Sequence, residues 1–230
     1  MSRPMMLGIV GDSGSGKTTL VRGLARVLGE DAITRIAADD YHRYERRRRA
    51  ELDLTPLDPQ ANYVDVLELD VERLRAGDPI LKPVYRHADG RFGAPVYVRP
   101  TRFCIVEGLL TLHTERLRAA FDCTVYLDPP EALRRAWKVL RDTSRRGYTT
   151  DEVLSELDRR ERDAARWVRP QREWADIVIS FSGAQDDQEH LDVELILRPT
   201  LPHPDLSGLV GDGPGELHHE VGTDGTQVLR

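Results

Sequence analysis

Gly11-Asp12-Ser13-Gly14-Ser15-Gly16-Lys17-Thr18 is the stretch from which the rest of this chain can be read. Its spacing is G-x-x-x-x-G-K-[ST], and each residue type has a physical task. Glycines let the backbone curl until several N–H groups point inward, which makes a cradle for phosphate oxygens. A helix starting there adds its positive N-terminal end. Lys17 supplies a point charge to the terminal phosphates, and the Thr18 hydroxyl is placed to ligate Mg²⁺. The flanks agree with this reading. Met5 to Val10 is a short apolar run without alternation, as in a strand buried on both faces. Thr18 to Leu28 carries Leu20, Val21, Leu24, Val27 and Leu28 at helical spacing. A strand before and a helix after point to a nucleotide-phosphate loop formed by Gly11, Asp12, Ser13, Gly14, Ser15, Gly16, Lys17, Thr18 and Thr19. The cofactors expected are ATP and Mg²⁺.

Downstream, strands and helices alternate. Ala32 to Ala38 reads as a second strand, Val64 to Leu74 as a helix stopped by Gly77 and Pro79, and Val84 to Val98 as a β-hairpin excursion. Phe103 to Val106, Cys123 to Leu127 and Ala175 to Phe181 read as further strands. Glu131 to Arg145 and Thr150 to Trp167 read as helices. The expected fold class is therefore α/β, a P-loop NTPase fold with a mostly parallel sheet covered by helices on both faces. Residues 1–198 are expected to form this one domain. Leu191 to Leu197 can add a strand. Residues 199–230 are rich in Gly, Pro, His and Asp and read as a short, loosely attached C-terminal tail.

The composition narrows the function. Of the 230 residues, 40% are apolar and 31% charged, which is globular rather than disordered. The net charge of -6 argues against a dedicated nucleic-acid binder, though not against a local basic site. The two cysteines, Cys104 and Cys123, sit in apolar runs and read as small buried hydrophobes on strands. No apolar stretch approaches the roughly 20 residues a membrane span needs, and the N-terminus lacks a signal-peptide pattern, so the cytoplasm is the expected compartment.

Acceptor chemistry is expected beyond the carboxyl ends of the strands. Asp39-Asp40-Tyr41-His42 follows the second strand, and a carboxylate there can take the proton of a hydroxyl attacking the γ-phosphate. Asp39 is the candidate base, with Asp40 competing. Arg43, Arg46, Arg47, Arg48 and Arg49 follow, a run suited to gripping an anionic substrate or simply to lying in solvent. Glu107 ends a strand where a metal-linked carboxylate belongs. On the helix from Glu131, Leu133, Trp137 and Leu140 form the expected buried stripe. Lys138, Arg141, Asp142 and Arg145 share another face, and Arg146 follows just before Gly147. Cations so grouped suit a lid over transferring phosphate.

Several stretches resemble the phosphoribulokinases, within the wider phosphoribulokinase/uridine kinase group. They are Asp39 to His42, Thr55-Pro56-Leu57-Asp58-Pro59-Gln60-Ala61-Asn62, Lys82-Pro83-Val84-Tyr85-Arg86-His87, Ile105 to Leu109, Trp137 to Asp142, Arg146 to Thr149 and Ala175 to Ile179. The resemblance runs from about Gly8 to Phe181. It implies ATP-dependent phosphorylation of the C1 hydroxyl of D-ribulose 5-phosphate. By similarity, Asp39 is the base, and Thr18 and Glu107 serve Mg²⁺. Arg46 and Arg49 hold the sugar phosphate with His42, Tyr85 and His87. Lys138, Arg141 and Arg146 close on the phosphates, with Asp142 and Lys17 also catalytic. Photosynthetic members carry a regulatory cysteine pair, but Ser15 and Ala37 stand at the corresponding places here, so that disulfide switch is not expected. The expected partners are a sugar phosphate and at most a second copy of the chain as a homodimer, with no nucleic acid and no membrane. Alternatives are a uridine/cytidine kinase, another metabolite kinase of the group, and an inactive ATP-binding regulator.

Overall fold

A computed structural model describes residues 3–182, 191–202 and 218–230. The chain opens with strand β1 (Met5–Gly11), helix α1 (Lys17–Leu28) and strand β2 (Ile33–Ala37). Helices α2 (Arg46–Glu51) and α3 (Val64–Ala76) follow, then the short strands β3 (Ile80–Lys82), β4 (Tyr85–Arg86), β5 (Arg91–Phe92) and β6 (Val96–Val98). Next come β7 (Phe103–Gly108), α4 (Glu115–Ala120), β8 (Cys123–Asp128), α5 (Glu131–Arg146) and α6 (Thr150–Asp163). Strands β9 (Ile177–Ser182), β10 (Asp192–Leu197), β11 (His219–Val221) and β12 (Gln227–Leu229) complete the described elements.

The main sheet runs β11-β12-β10-β9-β8-β1-β7-β2. Its strands β2, β7, β1, β8 and β9 are parallel, and β10, β12 and β11 add antiparallel at one edge. This is the expected P-loop architecture. Alternate residues on the central strands serve opposite faces. Met6, Val10, Cys104, Val106 and Tyr126 pack in one buried cluster with Leu67, Val71 and Leu74 of α3 and Leu117 of α4. Ile9, Ile105, Val125 and Leu127 pack on the other face with Val21 and Ala25 of α1. Both cysteines lie on strands as expected, Cys104 buried and Cys123 partly so. Among the described residues no helix is long and apolar enough to cross a membrane.

Three expectations need correction. The excursion is two nested ribbons rather than one hairpin: β3 pairs with β6, and β4 with β5 inside them. The segment expected as a loose tail also builds structure. Its β12 pairs with β10 and its β11 with β12, and Leu229 is buried there. Three-residue strands carry too little apolar alternation to show in the sequence, and the free edge of β10 supplies the pairing. Residues 203–217 of the same stretch lie outside the described residues. Finally, Val27 of the α1 stripe is 82% exposed, because the helix face ends at Ala25.

Gln171 ties the segment after β7 to the 3₁₀ turn of residues 169–174. Fully buried, it accepts from Leu112 N at 2.8 Å and donates to the carbonyls of Leu109 and Trp167 at 2.8 Å each. The Gln171→Leu variant strands those three backbone groups in the interior. It is expected to lose about 3 kcal/mol of stability in urea titration.

Candidate active site

From β1 the chain crosses over β7 to β2, whereas from β7 and β8 it moves the other way to β8 and β9, and a crevice forms at that switch point beyond the carboxyl ends of the strands. The phosphate loop starts directly from β1. Gly14 and Gly16 take φ of 90° and 96°, the left-handed region that side chains disfavour. Ser13 N and Ser15 N turn back on Asp12, at 2.6 Å to its carboxylate and 3.1 Å to its carbonyl. Lys17 Nζ donates to the carbonyls of Gly11 at 2.8 Å and Asp12 at 3.0 Å, which anchors the ammonium against the loop. Burial lowers its pKa, and Asp39, Glu107 and Asp12 pull the other way.

Glu107 stands opposite Ile9 of β1 and Ala37 of β2, so the register brings it to the end of the sheet beside the loop. Thr18 Oγ1 donates to Glu107 Oε2 at 3.2 Å. Burial raises the Glu107 carboxyl, while Lys17 and Thr18 lower it. A hydroxyl and one partly buried carboxylate fit a small hard cation that takes its other ligands from phosphate and water.

The two aspartates divide their work. Asp40 Oδ1 accepts from Tyr85 N at 2.8 Å, and Oδ2 accepts from the Lys82 ammonium. It is committed to holding the excursion. Asp39 instead lines the crevice, with its side chain 36% exposed and His87 Nε2 3.9 Å from Oδ2. Burial works to raise its carboxyl, but the cations around it, His42 and His87 when protonated together with Lys17 and Arg160, outweigh that and hold it below its ordinary value.

The excursion carries the other end of the crevice. A Cβ on Gly90 would lie only 2.5 Å from Arg46 Cβ, and Arg46 N donates to Gly90 O at 2.9 Å. The Arg46 guanidinium also donates to His87 O. Arg49, 6% exposed, donates to Tyr44 O at 2.9 Å and to the Tyr85 hydroxyl at 3.0 Å. The Tyr85 ring meets His42 and His87 edge-on at 4.7 and 5.2 Å. Arg47 and Arg48, by contrast, pair with Glu51 in solvent. Of the basic run, Arg46 and Arg49 line the crevice.

Helix α5 departs from its expected stripe. Leu140 is 62% exposed, whereas Arg134, Lys138 and Asp142, spaced i, i+4, i+8, are buried. That polar face lies against the loop: Arg134 Nη1 donates to Ser13 O at 3.0 Å, and Gly14 abuts Lys138. Asp142 collects three cations, Lys138 at 2.7 Å, Arg141 at 2.8 Å and Arg146 at 3.3 Å. The Arg145 side chain lies outside the described residues. Burial alone would raise the Asp142 carboxyl, but hydrogen bonds from Arg141 and Lys138 bring it to about 2.

The crevice holds about 1850 Å³, enough for a nucleotide and a second substrate, and every expected site residue except Gly11 and Asp12 lines it. Those two residues serve the loop from beneath. Sequence reading overlooked Arg134 and the Arg159–Arg160 pair, which also line the crevice or support it. Arg160 follows Val153 and Leu157 at i+7 and i+3, so it continues a buried stripe. A charge in that register was the available signal.

The chain matches the model of the phosphoribulokinase/uridine kinase family over residues 6–187. It is 38% identical over 179 residues to a phosphoribulokinase of Synechocystis sp., covering 78% of this chain and 54% of that protein. It is 33% identical over 187 residues to a uridine kinase of Brevibacillus brevis, covering 80% of this chain and 87% of the relative. The chain thus spans about half the length of the curated phosphoribulokinases it matches. Among solved structures, the phosphoribulokinase from Rhodobacter spheroides superposes with a TM-score of 0.69 over 100% of this chain and 91% of that one, at 19% identity, a likeness of fold.

Replacing Asp142 by Asn leaves Lys138 buried without its counter-charge, and a loss of about 3 kcal/mol at neutral pH is expected. The wild-type carboxyl is depressed on folding, so its contribution is present above about pH 4 and fades as pH falls towards 2. Acid unfolding followed by circular dichroism should show about 2 kcal/mol less stability change across that window in Asp142→Asn than in wild type.

Proposed function

This chain belongs to the phosphoribulokinase/uridine kinase family, and we propose that it is an ATP-dependent kinase whose acceptor is the C1 hydroxyl of D-ribulose 5-phosphate. The observation that carries this reading is the position of Asp39. It lies between Lys17 and Glu107 at the phosphate-loop end and His42 and His87 at the acceptor end, while Asp40 is tied to Lys82. A carboxylate held ionised there can accept the hydroxyl proton as the oxygen attacks the γ-phosphorus. The bond from that phosphorus to the bridging oxygen breaks, and ADP leaves with the electron pair.

The phosphate loop holds the β- and γ-phosphates through its amides and Lys17. Lys138, Arg141 and Arg146, ordered by Asp142, face the charge that spreads over the transferring group. Thr18 and Glu107 would hold Mg²⁺, which neutralises phosphate charge when bound. At the far end, Arg46 and Arg49 grip the sugar phosphate, with His42, Tyr85 and His87 around it. A buried guanidinium such as Arg49 suits a dianion better than a neutral nucleoside. That favours the sugar phosphate over uridine or cytidine.

ADP formation with Mg-ATP should be selective for ribulose 5-phosphate over ribose 5-phosphate, uridine and cytidine. In Asp39→Asn, turnover should fall about 10³-fold while ATP binding by calorimetry is retained. Selective turnover of a nucleoside would reassign the acceptor. Binding of ATP without turnover of any of the four would remove the activity itself.

A further inference from the structure

The stretch Leu57-Asp58-Pro59-Gln60-Ala61-Asn62 ends in a side chain that faces the acceptor end from below. His42 and Asn62 form an isolated antiparallel bridge, and His42 Nδ1 lies 2.7 Å from Asn62 Oδ1. Both residues are buried. The Asn62 amide nitrogen donates to Pro56 O at 3.0 Å and Asp58 O at 2.8 Å. Only N–H groups can satisfy two carbonyls, so the amide oxygen must be the atom turned to His42. An amide oxygen has no proton to give. Nδ1 therefore carries the proton, and in the neutral ring Nε2 is left with its lone pair.

The surroundings keep the ring neutral. Burial lowers the His42 pKa to about 4, with Arg49 and His87 pushing the same way and Asp39 and Asn62 opposing. Tyr85 meets the ring edge-on. Among the described residues the bond to Asn62 is the only hydrogen bond to the ring, and His42 lines the crevice.

We propose that Asn62 is a positioning residue that locks His42 in the Nδ1–H tautomer, so that Nε2 accepts a hydrogen bond from a hydroxyl of the phosphate acceptor. The inference rests on the kinase reading above and adds a selection rule: the acceptor offers a donor, a hydroxyl, to His42.

The test has two independent arms. In wild-type protein labelled with ¹⁵N-histidine, long-range ¹H–¹⁵N spectra, with His42 assigned by its loss in His42→Gln, should show the Nδ1–H tautomer. The Nε2–H tautomer would overturn the proposal, and this arm needs neither substrate nor a variant at Asn62. In Asn62→Asp the carboxylate favours the imidazolium, whose Nε2–H can no longer accept a hydrogen bond from the acceptor hydroxyl. The ratio of its KM for ribulose 5-phosphate to that of wild type should rise about tenfold between pH 8 and pH 6, while the KM ratio for ATP stays level. A merely structural role would shift both KM values together at every pH, and that result would overturn the proposal. Should wild type not turn over ribulose 5-phosphate, the acceptor assignment fails, and the spectrum alone still decides the tautomer.

Discussion

Gly14 has no side chain, and the contact between the phosphate loop and α5 exists because of that. A Cβ there would lie 3.0 Å from Lys138 Cβ and 3.2 Å from Arg134 O, at a φ that a side chain already disfavours. The helix can therefore rest directly on the loop, and Arg134 fixes it by donating to Ser13 O. From that contact the positions of the other cations follow. Lys138 lies one turn along from Arg134, Asp142 one turn further, and Asp142 gathers Arg141 and Arg146. Buried ion pairs of this kind add little net stability, because desolvation offsets attraction. What they provide is location: the cations are held in place before any substrate charge arrives, which is what stabilising a transferring phosphoryl group requires.

The acceptor end depends on a second economy, between neighbouring residues. Asp39 and Asp40 share one 3₁₀ turn after β2, yet their carboxylates leave it in different directions. Asp40 binds Lys82 and Tyr85 N, and so attaches the nested ribbons to the edge of the sheet. Tyr85 then holds Arg49, and His87 holds Arg46. One structural carboxylate thus organises the tyrosine, the histidine and two guanidiniums around its neighbour. The Lys82–Tyr85 spacing matters for this reason: both residues grip Asp40, and the Tyr85 side chain reaches on to Arg49.

Much of this was legible in the sequence because it is local. The strand, glycine loop and helix from Met5 to Leu28 obey spacing rules that tertiary packing does not override, and Glu107 announces itself as an acid closing an apolar run. Where burial is polar, the reading failed. Leu133, Trp137 and Leu140 looked like a core stripe, but the face of α5 that is buried is Arg134, Lys138 and Asp142, since its neighbour is a loop of carbonyls and amides rather than a hydrophobic layer. Hydrophobic periodicity assumes an apolar neighbour. Arg160 escaped notice for the same reason. The choice between Asp39 and Asp40 depended on Lys82, more than forty residues away in sequence, and the β11–β12 pair is specified by an edge formed elsewhere in the chain. None of these is encoded within the window that periodicity surveys.

The chain is acidic overall, with a net charge of -6, yet its crevice gathers lysines and arginines from the loop, α2, α5 and α6. These cations are not comfortable there. Burial lowers the pKa of Lys17, Lys138 and Arg160, each against the pull of nearby carboxylates. Arg160 Nε is buried without a hydrogen-bond partner. A cation so destabilised gains more from an arriving phosphate oxygen than one in water, because water has already been displaced and little reorganisation remains. Asp39, Glu107 and Asp142 do not cancel this positive field. They divide it, leaving one cationic region over the loop and another around Arg46 and Arg49, with the Asp39 carboxylate between. The folded chain carries that electrostatic strain in its interior, and the apolar clusters on the two faces of the sheet are what make it tolerable.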